Sequence, residues 1–551
     1  MKSKQVALLS VAVLVSILLS ACGTPAPPAA TTSPEPEVTT PPQATAPPEP
    51  EATPPPTSEI KRGGTLKIGY ELDWDSLDPS QYLAWATTAA YDLVYEGLTT
   101  WDLETLEPQP LLAKSWAISD DGLTYTFHLQ EGVKWHNGDD FTAEDVKYSI
   151  ERIQDPETGS IQSTQLAVIE SVEVVDDLTV VLHLSAPYSP LLALLPYSPY
   201  IVNKDFIESE GGFTPRTMMG TGPFMLEEWV PDTVTRFVRN PNYWRKDEDG
   251  QPLPYLDAIE FYPLVDETAR VSDLLSGVVD FIVRVPEKDL DRLEATEDIV
   301  LSAPWSTTYS YLWFDPYKPP FDDVRVREAV AWAIDRDQLV QGALYGRAFP
   351  LYGAAIPSWH WAFNDLRAYD HRDVDKARQL LADAGYPDGF ETTLVTTSDY
   401  GIGVAMAEMV VPMLEEVGIK AELELYDAAT FFENMGGGKN VCQYQFMLCG
   451  ETPSGDPDDT YYIMHHSTGD WNYCGYANPE IDRLLEEGRT VSEPAQRKEA
   501  YRQLEEILLE ELPLTYLASH HMYEAGWDYV QGYTHMGNNR YKALAYTWLD
   551  K

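Results

Sequence analysis

The sequence predicts an α/β protein of two or three domains, and three observations carry that reading. Roughly 490 residues follow residue 60, more than a single core usually organises. The stretch from Glu391 to Leu425 reads strand, helix, strand, the pattern of a parallel βαβ unit. The texture of the whole runs β-rich, then α/β, then β-rich again, so a middle domain is inserted in the sequence of another. At least two chain segments must then cross between the domains. Such crossings make a hinge, and ligands favour the cleft beside it.

The first element is an export signal. Lys2 and Lys4 precede an uncharged, mostly apolar run from Val6 to Leu19, too short to cross ~30 Å of hydrocarbon comfortably. Ser20-Ala21-Cys22 then resembles a bacterial lipobox, in which cleavage after residue 21 leaves Cys22 as the lipid-bearing N-terminus. An ordinary signal peptide ending in a chance cysteine is the competing reading. The next segment speaks against it: residues 22–60 look like a tether. Past Cys22 it is almost entirely Pro, Ala, Thr, Ser and Glu up to Glu59, without a basic or aromatic residue. It buries too little apolar surface to offset the entropy of ordering, so it is expected to be disordered. Its prolines give it a reach on the order of 100 Å. A ligand for SH3 or WW domains would look similar, but those partners are uncommon outside a bacterial cell.

Next, Gly64–Tyr70 alternates as a strand and leads into a loop carrying Trp74 among carboxylates. Leu123–Leu129 is a second strand, and Gly132–Gly138 a short strand with an Asn-Gly turn. Thr142-Ala-Glu-Asp145 opens a helix that runs to Ile153. Two strands separated by Asp176-Asp177 fill Ser171 to Leu184. Tyr309–Phe314 reads as a buried strand in which Tyr309 and Tyr311 share a face. Helices are expected from Val324 to about Tyr345, from Val374 to Ala384 with Gly385 beyond its end, and from Ile402 to Glu416. Strands fall at Glu391–Thr396, Lys420–Leu425 and Val441–Leu448. Asn478-Pro479 starts a helix to Glu487, a longer one covers Glu493–Glu511, and the last forty residues return to short strands.

Composition narrows the function. With 38 basic against 88 acidic residues the formal charge is −50, which argues against nucleic acid and against lying flat on anionic lipid. The field would attract cations, although solubility in salty surroundings is the plainer account. No later run is apolar enough to span a membrane, so membrane contact is expected only through the lipid anchor. Beyond Cys22, three cysteines allow at most one disulfide. Cys442 and Cys449 fall in one apparent strand, too far apart to pair, so Cys449–Cys474 is the expected bridge. His465-His466 and His520-His521 are adjacent pairs, without the spacing of a zinc helix. Gly436-Gly-Gly-Lys439 lacks the first glycine and the Ser/Thr of a phosphate loop and is expected to be a turn. No catalytic constellation is found: the expectation is a non-enzyme with no cofactor.

Several long stretches remain: Leu111-Leu-Ala-Lys-Ser-Trp116, Asp121-Gly-Leu-Thr-Tyr-Thr-Phe127, Gly132-Val-Lys-Trp-His-Asn-Gly138, Thr142-Ala-Glu-Asp-Val146, Gly220-Thr-Gly-Pro-Phe224 and Arg239-Asn-Pro-Asn-Tyr-Trp244. Phe321-Asp-Asp-Val-Arg-Val-Arg327 through Ala333-Ile-Asp-Arg336, Ala377-Arg-Gln-Leu-Leu381 before Ala384-Gly-Tyr386, and Gly475-Tyr-Ala-Asn-Pro-Glu480 complete them. In this order, over nearly all of residues 61–551, they resemble the family 5 extracytoplasmic solute-binding proteins of ABC importers, the peptide/nickel-binding group. The resemblance implies a two-lobed periplasmic-binding-protein (Venus-flytrap) fold with an extra subdomain in lobe I. Lobe I would comprise 61–304, with the subdomain at about 105–225, and a return segment 518–551. Lobe II would comprise 305–517. The implied partner is a permease with two ATPase subunits, and the implied place the extracytoplasmic face of a bacterial membrane. The receptor itself is expected to be a monomer.

Cargo is less legible. Dipeptide-binding relatives use an arginine where Thr397 stands and an aspartate near the position of Pro453, so both anchors look absent here. Glu451 is the acid nearest the second of these places. No sequence signal marks a nickel-chelating histidine, which leaves His360 and His465 as open positions. The expected lining is aromatic and acidic: Trp74, Tyr309, Tyr311, Trp359, Trp361, Asp399, Tyr400, Glu451, Trp471 and Tyr473. Aromatic faces suit peptide side chains or sugar rings, and carboxylates suit amines or hydroxyls. For each aromatic, core packing is the plainer alternative. An oligopeptide is the expected cargo and an oligosaccharide the alternative; a surface sensing receptor and an extracellular hydrolase are weaker readings.

Overall fold

The computed structural model describes residues 60–551 apart from 82–86, 161, 211–217, 303–305, 399, 437–441, 454 and 470. The signal, Cys22, the tether, Asp399 and most of the glycine-rich turn lie outside the described residues.

Two mixed sheets organise the rest. In the first, seven strands lie in the order Ile299–Ser302, Glu524–Trp527, Phe281–Ile282, Thr65–Tyr70, Ala258–Pro263, Val234–Arg239 and Phe224–Val230. Thr65–Tyr70 is parallel to both of its neighbours. In the second, six strands lie in the order Ala348–Pro350, Leu514–His520, Tyr309–Phe314, Phe446–Glu451, Phe390–Thr397 and Ile419–Tyr426. Phe390–Thr397 pairs in parallel with Ile419–Tyr426 along its whole length, as the βαβ pattern requires. A separate antiparallel sheet, Ala113–Ile118, Thr124–Leu129, Thr179–Leu184 and Ile169–Asp176, lies within the span 105–225.

Every residue of Tyr309–Phe314 is buried, because this central strand is covered on both faces. Period-two alternation sends Tyr309, Tyr311 and Trp313 into one core cluster, and Leu312 and Phe314 into another that also holds Val326, Val330, Met406 and Val410. Local signals work as expected at several ends. Asp145 accepts from the Thr142 backbone N–H at 3.0 Å, and Asn478 caps the helix Pro479–Thr490. Gly385 follows the helix Val374–Asp383 at φ +96°, a left-handed position that other residues rarely adopt.

Three expectations are corrected. The helix from Val324 to Tyr345 is two helices, Val324–Ala333 and Arg336–Ala343. Ile334 is extended between them, and Asp335 caps the second by accepting from Gln338 N–H at 2.8 Å. The break lets the buried Arg336 donate to the Tyr516 carbonyl at 2.8 Å and to Thr515 Oγ1 at 2.8 Å. Gly132–Gly138 forms no strand, only a bridge from Lys134 to Asp140 around the turn. Finally, the strand expected at Val441–Leu448 is Phe446–Glu451.

That shift overturns the expected disulfide. Cys442 precedes the strand and bonds Cys474, while Cys449 is a buried free thiol within it. Because the strand begins only at Phe446, Cys442 lies outside it and reaches Cys474, while Cys449 is held within the sheet.

The chain crosses from the first sheet to the second after Ser302 and returns between His520 and Glu524. The strand Leu514–His520 stays in the second sheet throughout. Register places both crossings at one edge of each sheet. Ser302 pairs with Glu524, beside the ends of Thr65–Tyr70 and Phe281–Ile282. Tyr309 pairs with Glu451 and Ser519, beside the end of Phe390–Thr397. The connections between the two sheets therefore run from one edge of the first to one edge of the second.

Candidate functional site

At the edge of the first sheet, Glu71 and Arg284 stand just beyond the ends of their strands. Arg284 Nε donates to Glu71 Oε1 at 2.7 Å. Arg284 adopts a left-handed backbone, φ +47°, which costs a non-glycine residue about 1 kcal/mol or more. Arg270 holds that turn in place. It is 2% exposed and donates to the carbonyls of Leu264, Val283 and Arg284 at 2.6, 3.0 and 2.8 Å.

The facing edge carries a polar trio. Ser310 Oγ and Tyr400 OH lie 2.8 Å apart, and His520 Nε2 is 2.8 Å from Tyr400 and 3.1 Å from Ser310. Gly450 makes room for it, since a Cβ there would stand 2.5 Å from Tyr400 OH. Burial, then the charge of Arg284, holds the His520 imidazole down at about 3. The same guanidinium acts on Tyr400, so Arg284 lies within electrostatic reach of the trio. Burial also pushes the nearby Glu287 carboxyl up to about 7.

A small pocket lies between the segment 165–197 and the helix Pro457–His465. Gln165, Tyr188 and Tyr197 line it from one side, and Asp456, Asp458, Asp459 and Arg489 from the other. Two of these acids are neutralised: Asp456 pairs with Arg497 at 2.6 Å and Asp458 with Arg489 at 2.8 Å. Tyr188 OH donates to Asp458 at 3.2 Å, and Ser189 N–H to the Arg489 carbonyl at 2.7 Å, which ties the loop at 188–189 to the helices Pro457–His465 and Pro479–Thr490. Glu451 forms no ion pair among the described residues. Burial, then the charge of Asp459, pushes its carboxyl up to about 8.

The structure brings four expected residues together and scatters others. Glu451 is the cross-strand partner of Tyr309, its charge reaches Tyr311, and Tyr473 lies next to Tyr311. Tyr309 and Tyr311 do share a face, but each is 1% exposed and belongs to the core. Tyr400 is across the sheet, on the face of Ser310. Trp74 is packed in the first sheet's core with its indole N–H on Thr235 Oγ1 at 2.6 Å, and it offers no face to a ligand. Trp359 and Trp361 are exposed and flank His360, whose Nε2 donates to the Gly455 carbonyl at 2.7 Å. Trp471 is exposed on the turn after the helix Pro457–His465. His465 is fully buried beside Trp313 and Tyr516, its imidazole held down at about 3 by burial. Sequence reasoning missed Glu71, Arg284, Asp459 and His520. The available signal was scarcity: Arg284 is a lone base directly after a strand in a strongly acidic chain.

Comparisons with known proteins agree with this architecture. The family model described as bacterial extracellular solute-binding proteins, family 5 Middle, matches residues 107–473. The chain is 30% identical over 452 residues to the glutathione-binding protein GsiB of Escherichia coli (strain K12), covering 80% of this chain and 86% of that one. The periplasmic binding protein DppA from Helicobacter pylori, in complex with peptide STSA, superposes with a TM-score of 0.79 at 27% identity, covering 89% of this chain and 99% of that one. The binding protein AgaA of A. tumefaciens R10, in complex with agropinic acid, does so with a TM-score of 0.78 at 29% identity and the same coverage. The shared fold is the two-lobed periplasmic-binding-protein fold, and these relatives are solute-binding proteins rather than enzymes.

Proposed function

The chain belongs to family 5 of the bacterial extracellular solute-binding proteins, the receptors of ABC importers, and we propose that its cargo is an oligopeptide. The peptide is captured between the two sheets and handed to a membrane permease. Cys22 carries the lipid anchor, and residues 22–60 tether the body at high effective concentration near that permease. Lobe I is assigned to 61–304, with the subdomain at about 105–225, plus the chain beyond His520; lobe II is assigned to the segment between.

The observation that carries the cargo reading is the contrast among the cleft acids. Asp456 and Asp458 are each matched by an arginine, whereas Glu451 feels the charge of Asp459 and forms no ion pair among the described residues. An ammonium group arriving there would let Glu451 ionise and form a charge-assisted hydrogen bond. The amino terminus of a peptide supplies such a group, and a neutral oligosaccharide does not.

The test is thermal unfolding of the full chain with tetrapeptide, cello-oligosaccharide and xylo-oligosaccharide libraries. A bound ligand at one hundred times its Kd adds ~2.7 kcal/mol of stability. Peptides are expected to stabilise, and Glu451→Gln to weaken them about tenfold. Stabilisation by sugars alone would overturn the proposal. Anchoring is tested separately: Cys22→Ala is expected to release the protein from membranes, and its retention there would refute the lipid site.

A further inference from the structure

A peptide held by its amine at Glu451 presents a carboxylate as well, and a buried carboxylate needs a cation or several donors. This inference therefore rests on the peptide reading. Most basic side chains around the cleft are already committed. Arg489 and Arg497 form two-pronged pairs with Asp458 and Asp456. Arg347 bridges Asp291 and Glu294, and Lys288 is exposed beside Glu267.

Arg284 is different. Its side chain is 35% exposed, yet its only hydrogen bond among the described residues is from Nε to Glu71. The outer two nitrogens, the fork that best matches a carboxylate, have no acceptor among the described residues. Glu71 is in a similar state, since its second oxygen, Oε2, is buried without a hydrogen-bond partner. The outward half of the arginine is open to solvent and so available to a ligand, within electrostatic reach of Tyr400 and His520.

The backbone supports the same conclusion. Arg284 sits in a strained left-handed conformation, and Arg270 uses a fully buried guanidinium to fix the carbonyls on either side of the turn. Strain maintained by a dedicated buried scaffold is a mark of a residue held for contact. We propose that Arg284, delivered by the first sheet, receives the ligand's carboxylate, with Tyr400 and His520 closing over it from the second sheet. The receptor would then recognise a zwitterion whose two charges are read by different lobes, so both lobes must engage it at once. Such a ligand favours the closed form through differential contacts, as a closing receptor requires.

The experiment uses the full-length protein in detergent and two tetrapeptide series of identical sequences, one ending in a free carboxylate and one in a carboxamide. Bound peptides are captured and quantified by mass spectrometry. Wild type is expected to retain the acids over the amides by about tenfold or more, the worth of one charge-assisted hydrogen bond. Arg284→Gln should bring that ratio to about one while holding the amides as well as wild type does. Arg284→Lys, which keeps the charge and loses the fork, should keep part of the discrimination. Wild type that retains both series equally would overturn the role of Arg284 and leave the peptide reading standing. So would an Arg284→Gln protein that loses acids and amides in the same proportion. Wild type that retains neither series refutes the peptide reading itself, and the assignment of a peptide carboxylate with it.

Discussion

Glu505 makes a quantitative prediction about the stability of the second sheet's body. It lies in the helix Pro494–Glu511, is 2% exposed, and accepts from Tyr461 OH at 2.5 Å and from Asn364 Nδ2 at 2.8 Å. Burial outweighs these two donors and pushes its carboxyl up to about 7, from an ordinary value of 4.5. Between those two pH values the folded protein keeps a proton that the unfolded chain has lost. Stability is therefore fully present below pH 4.5, falls as pH rises towards 7, and is flat above. The total loss from this one group is ~3 kcal/mol. Glu505→Gln removes the titration but sets an amide N–H₂ against one of the two donors, a fixed cost of ~1–2 kcal/mol at any pH. Urea unfolding followed by tryptophan fluorescence at pH 4.5 and pH 8 separates the two effects. The variant should be less stable than wild type at pH 4.5, and the difference should move in its favour by ~3 kcal/mol at pH 8. Glu287 and Glu451 titrate in the same range but are present in both proteins, so they cancel. A difference that stays the same at both pH values would refute the argument that Glu505 is buried as the neutral acid.

Two further outcomes are expected. Arg270→Met removes a donor from three carbonyls and should cost ~3 kcal/mol in urea unfolding, with faster amide exchange around Val283 and Arg284; a cost below ~0.5 kcal/mol would show that the scaffold is dispensable. Under denaturing, non-reducing conditions a thiol reagent should label one cysteine beyond the lipid site, Cys449, and Cys474→Ser should expose Cys442 as a second. The 32-residue separation makes loss of the bridge worth ~4 kcal/mol, and three labelled thiols in the wild type would rule the pairing out.

Much of the fold was legible because its causes are local. The alternation in Tyr309–Phe314, the cap at Asn478 and the left-handed glycine at 385 each depend on neighbours a few residues away. The βαβ run was readable for the same reason, and the inserted middle domain followed from the changes of texture along the chain. Where a local cause was overruled, the winner was tertiary. Val324 to Tyr345 has the composition of one helix, yet the buried guanidinium of Arg336 reaches Thr515 and Tyr516 on the distant strand Leu514–His520 as well as the Ala331 carbonyl, and the helix breaks between Ala333 and Arg336.

By itself, then, the sequence determined the α/β class and the family resemblance that the comparisons support. It also named Glu451 as the acid to watch. Only the tertiary structure decided that Cys442 rather than Cys449 meets Cys474, that Trp74, Tyr309 and Tyr311 are core, and that Arg284 stands by Glu71 across 213 residues of chain. The reason is physical. Periodicity and capping are set by backbone geometry over a few residues, whereas these contacts depend on strand register and on two crossings. No local pattern encodes which strand ends arrive at the same edge.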